Sequence, residues 1–162
     1  MAESASPPLQ PPVPALELLA RFEVDLGEPL ELGETPAGRR RIVPIVGGRF
    51  EGPAFRGAVL PGGADWQLVL ADGTAVIDTR YTLRTHDGAL VYITTRGVRA
   101  GSPEVLARIA AGEAVDPASY YFRVVVTLET SHPAYTWLTR RLFVGAAVRL
   151  ASRVVYDAYQ VT

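Results

Sequence analysis

Four side chains in this chain have the chemistry of proton transfer and oxyanion binding: Asp65, Tyr81, Arg123 and Glu129. A carboxyl group among apolar neighbours has its pKa raised and can exchange a proton near neutral pH. Asp65, beside Trp66, is placed for this at a barrel mouth, although after Pro61-Gly62-Gly63-Ala64 it could equally close a turn onto backbone amides. Tyr81 and Tyr92 flank the Thr85-His86-Asp87-Gly88 turn, so two phenols could lie close together and donate to a carbonyl or enolate oxygen. As ordinary strand residues they would simply pack. From Tyr120 to Glu129 alternation puts Arg123 and Glu129 on one face. There Arg123 could hold a carboxylate, enolate or phenolate oxygen and Glu129 serve as base or structural partner. The opposite face, Tyr120, Phe122, Val124, Val126 and Leu128, is continuously apolar and reads as core, which leaves the Arg/Glu face to solvent, an interface or a polar pocket. Trp66, Tyr135 and Trp137 could cover a pocket mouth, with packing as the plainer role.

Other chemistries lack their residues. All 16 basic residues are Arg, and Lys, Cys and Asn are absent, so there is no Schiff-base lysine, thiolate nucleophile, disulfide or zinc-cysteine site. His86 sits at a hairpin tip and reads as a surface residue, whereas His132, before Pro133 in a loop, is the better substrate contact or acid/base. Two dispersed histidines make neither a zinc tetrad nor a hydrolytic pair, and no Gly-x-Ser-x-Gly elbow or phosphate loop is present. Neither a metal nor a cofactor is expected. The net charge of −1, with both signs interspersed, argues against nucleic acid or an anionic membrane as partner. Arg39 to Arg41 reads as a solvated or interface run. With no signal-like segment and no apolar run of about 18 residues, a cytoplasmic protein is expected.

The elements that must position these groups are short strands. Residues 1–14 are Pro-rich without an apolar period and read as a disordered arm; residues 15–162 read as one domain. Period-two alternation from Leu16 puts Leu18, Ala20, Phe22 and Val24 on one face. A loop follows through Arg40, and strands are expected at Ile42–Phe50, Ala54–Leu60, Asp65–Leu70, Thr74–Leu83 and Ala89–Thr95. Gly, Pro and Asp-Gly turns separate them. One helix, Ser102–Ala111, has Ser102 as cap, Pro103 at its first position and Gly112 at its end. Strands return at Tyr120–Glu129, Leu138–Arg149 and Arg153–Tyr159. Eight or nine antiparallel strands joined by hairpins remove their edges by closing into a barrel, whose interior would admit side chains or one small ligand.

The ordered set Gly38–Gln67 (GRRRIVPIVGGRFEGPAFRGAVLPGGADWQ), Arg80–Arg99 (RYTLRTHDGALVYITTRGVR), SPEVLARIAAGE, YYFRVVVTLET and YTWLTRRLFVG resembles the family known as domain of unknown function 3237. The resemblance spans nearly everything after the Pro-rich arm. It implies a small β-barrel similar to lipocalin-like or allene-oxide-cyclase-like barrels. Where the family pattern reads Trp-Leu-Asn, this chain has Trp137-Leu138-Thr139, and Ser131-His132 replaces the glycine usual after Glu-Thr. If that Asn contacts a ligand, Thr139 and His132 would alter substrate choice.

These readings converge on a barrel that takes an apolar or aromatic small molecule and performs cofactor-free isomerase, lyase or cyclase chemistry, with Asp65, Arg123, Glu129 and Tyr81 as catalytic candidates. Trp66, Tyr92, His132, Tyr135, Trp137 and Thr139 are its substrate-contact candidates. A non-catalytic carrier and a structural module that oligomerises through its outer wall are the alternatives. A filled interior favours the module, an open apolar interior without converging ionisable groups the carrier, and an open interior with a buried carboxylate or Tyr near Arg the enzyme.

Overall fold

A strand that pairs on both sides with partners far apart in sequence organises this molecule. The computed structural model describes residues 9–162. The expected arm falls partly on residues 1–8, outside the described residues; from Leu9 to Pro14 the chain is exposed and belongs to no strand. The strands are β1 (Leu16–Leu26), β2 (Leu30–Thr35), β3 (Gly38–Glu51), β4 (Gly57–Val59), β5 (Gly63–Val69), β6 (Ala75–Thr85), β7 (Leu90–Gly101), β8 (Tyr120–Glu129), β9 (Leu142–Arg149) and β10 (Arg153–Val161). One α-helix, α1 (Pro103–Ala110), lies between β7 and β8. Strand β1 pairs antiparallel with both β10 and β3, which closes the sheet. β4 and β5 occupy one position between β3 and β6, so the wall is an eight-stranded antiparallel barrel with β2 as an added hairpin strand.

Alternation decides what fills it. On β6, Ala75, Ile77, Thr79, Tyr81, Leu83 and Thr85 are all buried; on β8, Tyr120 through Leu128 alternate buried and exposed without interruption. One end is plugged by aromatics. Phe22 stacks between Phe50 and Tyr156 at 5.3 and 4.7 Å, Phe55 lies 4.5 Å from Phe50, and Tyr135 meets Phe55 at 5.9 Å. Helix α1 packs near the other end, with Leu106 close to Gly73 and Gly101. Its cap forms as the sequence predicts, the Ser102 hydroxyl accepting from the Val105 amide at 3.3 Å.

Three expectations needed correction. The loop expected through Arg40 is a hairpin, β2 and the start of β3, turned at Pro36-Ala37 with Gly38 (φ 125°) opening β3. The strand expected from Leu138 begins at Leu142, because Thr136–Arg140 coils into a 3-10 turn that buries Leu138. In β1, Leu18 is exposed while Leu19 and Ala20 are both buried: a bulge between Leu18 and Ala20 breaks the alternation.

At Gly97 the neighbouring wall strand stands where a side chain would begin. A Cβ on Gly97 would stand 2.0 Å from the Arg123 carbonyl oxygen and 2.7 Å from Val124 Cα, backbone that no rotamer change can move. Gly97→Ala is therefore expected to destabilise the barrel by about 1–3 kcal/mol, read as a lower urea midpoint, since overpacking forces backbone shifts.

Candidate functional site

Between the aromatic plug and the α1 end the inward side chains leave a cavity of about 50 Å³. Ile45, Ile77, Phe122 and Val124 give it apolar walls, and its polar lining is Asp65, Thr79, Thr95, Tyr81 and Tyr156. That is room for a few waters and far below the roughly 300–1,000 Å³ of drug-sized ligand pockets. The barrel is therefore largely filled by its own side chains, with one small gap whose surface is almost wholly apolar although polar residues stand among its lining.

Asp65 stands inside the wall and is 7% exposed. Strand β5 puts Asp65 and Gln67 inward and Trp66 outward, so the turn role is not the one the structure shows. One carboxylate oxygen accepts from the Asp78 amide at 3.0 Å and the other from Gln67 Nε2 at 2.7 Å. Gln67 Oε1 accepts in turn from Arg41 Nε at 2.6 Å. Burial raises the Asp65 pKa; the Asp78 and Gln67 hydrogen bonds and then Arg99 and Arg41 act to lower it, and burial prevails. A carboxyl group so balanced can hold or release a proton without leaving its place.

Tyr81 and Tyr156 face each other across the interior with hydroxyl oxygens 2.5 Å apart. Burial pushes both phenols well above their ordinary pKa, so both stay neutral. Their hydroxyls bond only each other among the described residues, so one O–H donates to the partner and the proton of the other has no acceptor within the chain's described part. Thr79 and Thr95 form a similar close hydroxyl pair beside them.

At the α1 end three guanidinium groups gather around this site. Arg99, inward on β7 and 7% exposed, stands 5.7 Å over the ring of Phe122. Its Nε is buried without a hydrogen-bond partner among the described residues. Burial first, then Arg41 and Arg149, lowers its pKa to about 10, so it remains charged at neutral pH. Arg41 and Arg149 are lowered by burial too.

The other candidates are dispersed. Arg123 and Glu129 point outward on β8, because the apolar face of that strand fills the barrel; Arg123 stacks 5.3 Å from Tyr121 and donates to the Phe122 carbonyl at 2.9 Å. Of the alternatives open for that face, the solvent-facing one is realised, so these two candidates share no pocket with Asp65. Tyr92 is 40% exposed on the outer wall, opposite Thr82, so Tyr81 pairs with Tyr156 and not with Tyr92. Trp66 is also outside, under Arg80 at 5.4 Å. Tyr135 is buried in the plug and donates to both Asp87 carboxylate oxygens at 3.0 Å. His132 lies 5.4 Å from Tyr135, its Nδ1 accepting from the Ala134 amide at 3.3 Å; Trp137 meets Phe143 edge-on at 6.5 Å; exposed Thr139 donates to the Thr136 carbonyl at 2.8 Å. All of these lie apart from the Asp65 cavity lining. Sequence reasoning missed Gln67, Thr79, Thr95, Arg99 and Tyr156. Extending the inward period of β7 from Val91 through Ile93 and Thr95 would have reached Arg99.

Residues 14–161 match the model of a family described as protein of unknown function, DUF3237. The chain belongs to this family. It is 43% identical over 150 residues to a Rhodopseudomonas palustris protein, covering 91% of this chain and 98% of that one. A solved β-barrel-like protein from Acinetobacter baumannii is 51% identical with TM-score 0.84, covering 94% of this chain and 99% of that one. A structure described as an enzyme from Penicillium herquei shares the fold at TM-score 0.71 and 23% identity, covering 96% and 99%. A Penicillium roqueforti PR-toxin biosynthesis cluster protein is 24% identical over 167 residues, 90% of this chain and 86% of that one. Among the described residues, no three His, Asp or Glu gather as for a metal, and no helix is long and apolar enough to cross a membrane.

Two stability measurements check this geometry. From the ordinary Asp value of about 3.9 up to the raised value, the folded state keeps a proton that the unfolded state has lost, so the Asp65 contribution falls as pH rises. Urea unfolding should show the advantage of wild type over Asp65→Asn shrinking across that window and levelling off above it. Tyr81→Phe strands the Tyr156 hydroxyl and should cost about 1–3 kcal/mol, while Tyr81→Phe/Tyr156→Phe should recover most of that loss.

Proposed function

We propose that the interior of this barrel is a small-molecule site for cofactor-free acid/base chemistry, of the isomerase, lyase or cyclase type, on an apolar or aromatic compound. One observation carries the reading: a buried carboxyl group with a raised pKa lines the same cavity as a neutral phenol pair with one proton to spare. In this reading Asp65 takes or returns the substrate proton, and the Tyr81–Tyr156 pair donates to the oxygen on which charge develops. Apolar walls strengthen both interactions by excluding water. The cavity accepts only a few heavy atoms, so the reacting end of the substrate enters and its remainder lies toward the α1 end. The distant Penicillium herquei structure described as an enzyme supports an enzymatic use of this fold.

The small volume also favours a second reading, a structural module whose exposed Tyr121 and Val125 pack against another copy. Substrate screening separates the two. Ketones and enones with acidic C–H bonds, incubated with the protein in D2O and followed by NMR, should include compounds that exchange or rearrange. For such a compound Asp65→Asn should lower turnover by about 10²–10⁴-fold, and Arg123→Ala, on the outer wall, should leave it unchanged. Turnover that survives in Asp65→Asn would remove Asp65 from the reaction.

A further inference from the structure

The interior is poorly balanced in charge. Arg41 and Arg149 both lie close enough to Arg99 to lower its proton affinity, Arg41 does the same to Arg149, and the buried acid near all three is Asp65. Asp65 does not pair with Arg99: its two oxygens accept from Gln67 and the Asp78 amide. Glu31, the other acid near Arg41, is exposed on the added hairpin with its oxygen 4.0 Å from Nη1. Arg149 spends Nη1 on the carbonyls of Leu150 and Ala151. Arg99 therefore has no hydrogen-bonded or ion-paired anion among the described residues. A charged side chain more than nine-tenths buried, with an orphaned Nε, is costly unless something outside the chain completes it.

What completes it is constrained by the surroundings. Arg99 lies over Phe122, and Phe122 lines the cavity, so an anion held by Arg99 has an apolar gap beside it. The planar fork of a guanidinium matches a carboxylate with two parallel hydrogen bonds. A single negative charge also suits a site that already holds Asp65, where a dianion would meet repulsion. The Tyr120 hydroxyl, which accepts from the Arg149 amide at 3.0 Å, keeps its own O–H as a further donor at this end.

We propose that Arg99, supported by Arg41 and Arg149, anchors the carboxylate of a small-molecule substrate whose apolar tail enters the interior cavity beside Phe122. The proposal rests on reading the interior as a small-molecule site, and not on any particular reaction there. It replaces Arg123, on the outer wall, with an inward arginine as the oxyanion holder.

The test uses the intact chain at pH 7, titrated with butyrate, neutral butyramide or inorganic phosphate and followed by amide NMR shifts. Butyrate should bind saturably, and butyramide and phosphate at least about tenfold more weakly. Arg99→Met should weaken butyrate at least about tenfold, Arg99→Lys less, while Arg84→Gln on the outer wall should change nothing. If Arg99→Met does not fold, Arg41→Gln and Arg149→Gln take its place, each expected to weaken butyrate measurably. No saturable butyrate binding by wild type, equal binding by Arg99→Met or by both replacement variants, or phosphate binding as tightly as butyrate, would each overturn the anchor. Wild type itself separates this from the proposed reaction: saturable butyrate binding with no exchange or rearrangement of any ketone or enone, with or without a carboxylate, removes the chemistry and leaves the anchor. Turnover without butyrate binding does the reverse.

Discussion

Closure of the sheet through β1 is the constraint on which everything else depends. Because β1 pairs with β10 on one side and β3 on the other, no wall strand has a free edge, and every second side chain is committed to one interior. That interior has a fixed volume, so each inward residue is placed relative to seven other strands. The aromatic plug of Phe22, Phe50, Phe55 and Tyr135 uses up one end of it. Small inward residues farther along, Gly97, Gly145 and Ala147, make room for Tyr156 and Val124 and leave the remaining gap.

The polar groups in that gap persist because they are arranged to satisfy one another. Asp65 is held by a cross-strand amide and by Gln67, and Gln67 is held by Arg41, so the carboxylate position is determined by three strands, β3, β5 and β6. An Asn at position 65 would set an amide donor against either the Gln67 or the Asp78 donor, so the network is written for a carboxyl group. Burial works against the charge while the hydrogen bonds work for it. A group held between those two pressures changes its proton at little structural cost, which is the property acid/base chemistry requires. Arg99 contrasts with this: burial and two like charges act on it, Asp65 and Tyr120 offset them only in part, and its Nε has no hydrogen-bond partner among the described residues.

The outer wall tells a different story from the interior. Arg123, Glu129, Trp66 and Tyr92 were attractive because of their chemistry, yet each sits on the exposed parity of its strand. Arg21 and Asp157 pair bidentately across β1 and β10, and Arg153 reaches Glu23 and Asp25, so much of the charge in the chain decorates neighbouring strands on this surface. The arginine-rich composition is thus divided. Most of it is solvated, and a small inward minority bears on the site.

Hairpin turns at Asp72-Gly73 and Asp87-Gly88, the capped helix after Ser102 and the two faces of β8 were legible in the sequence, because each depends on residues within a few positions of one another. Strand parity was legible too, wherever no bulge intervened; at Leu18 to Ala20 one did, and a bulge leaves no mark in local composition. That Tyr81 meets Tyr156, 75 residues away, and that Asp65 lies among Arg41, Arg99 and Arg149 was decided only by closure. A period of two tells which side of a sheet a residue faces, but whether that side is an interior, and what stands opposite, depends on how the sheet curls. The candidate site is made of such opposites, so its residue types could be read in the chain and its partnerships only in the barrel.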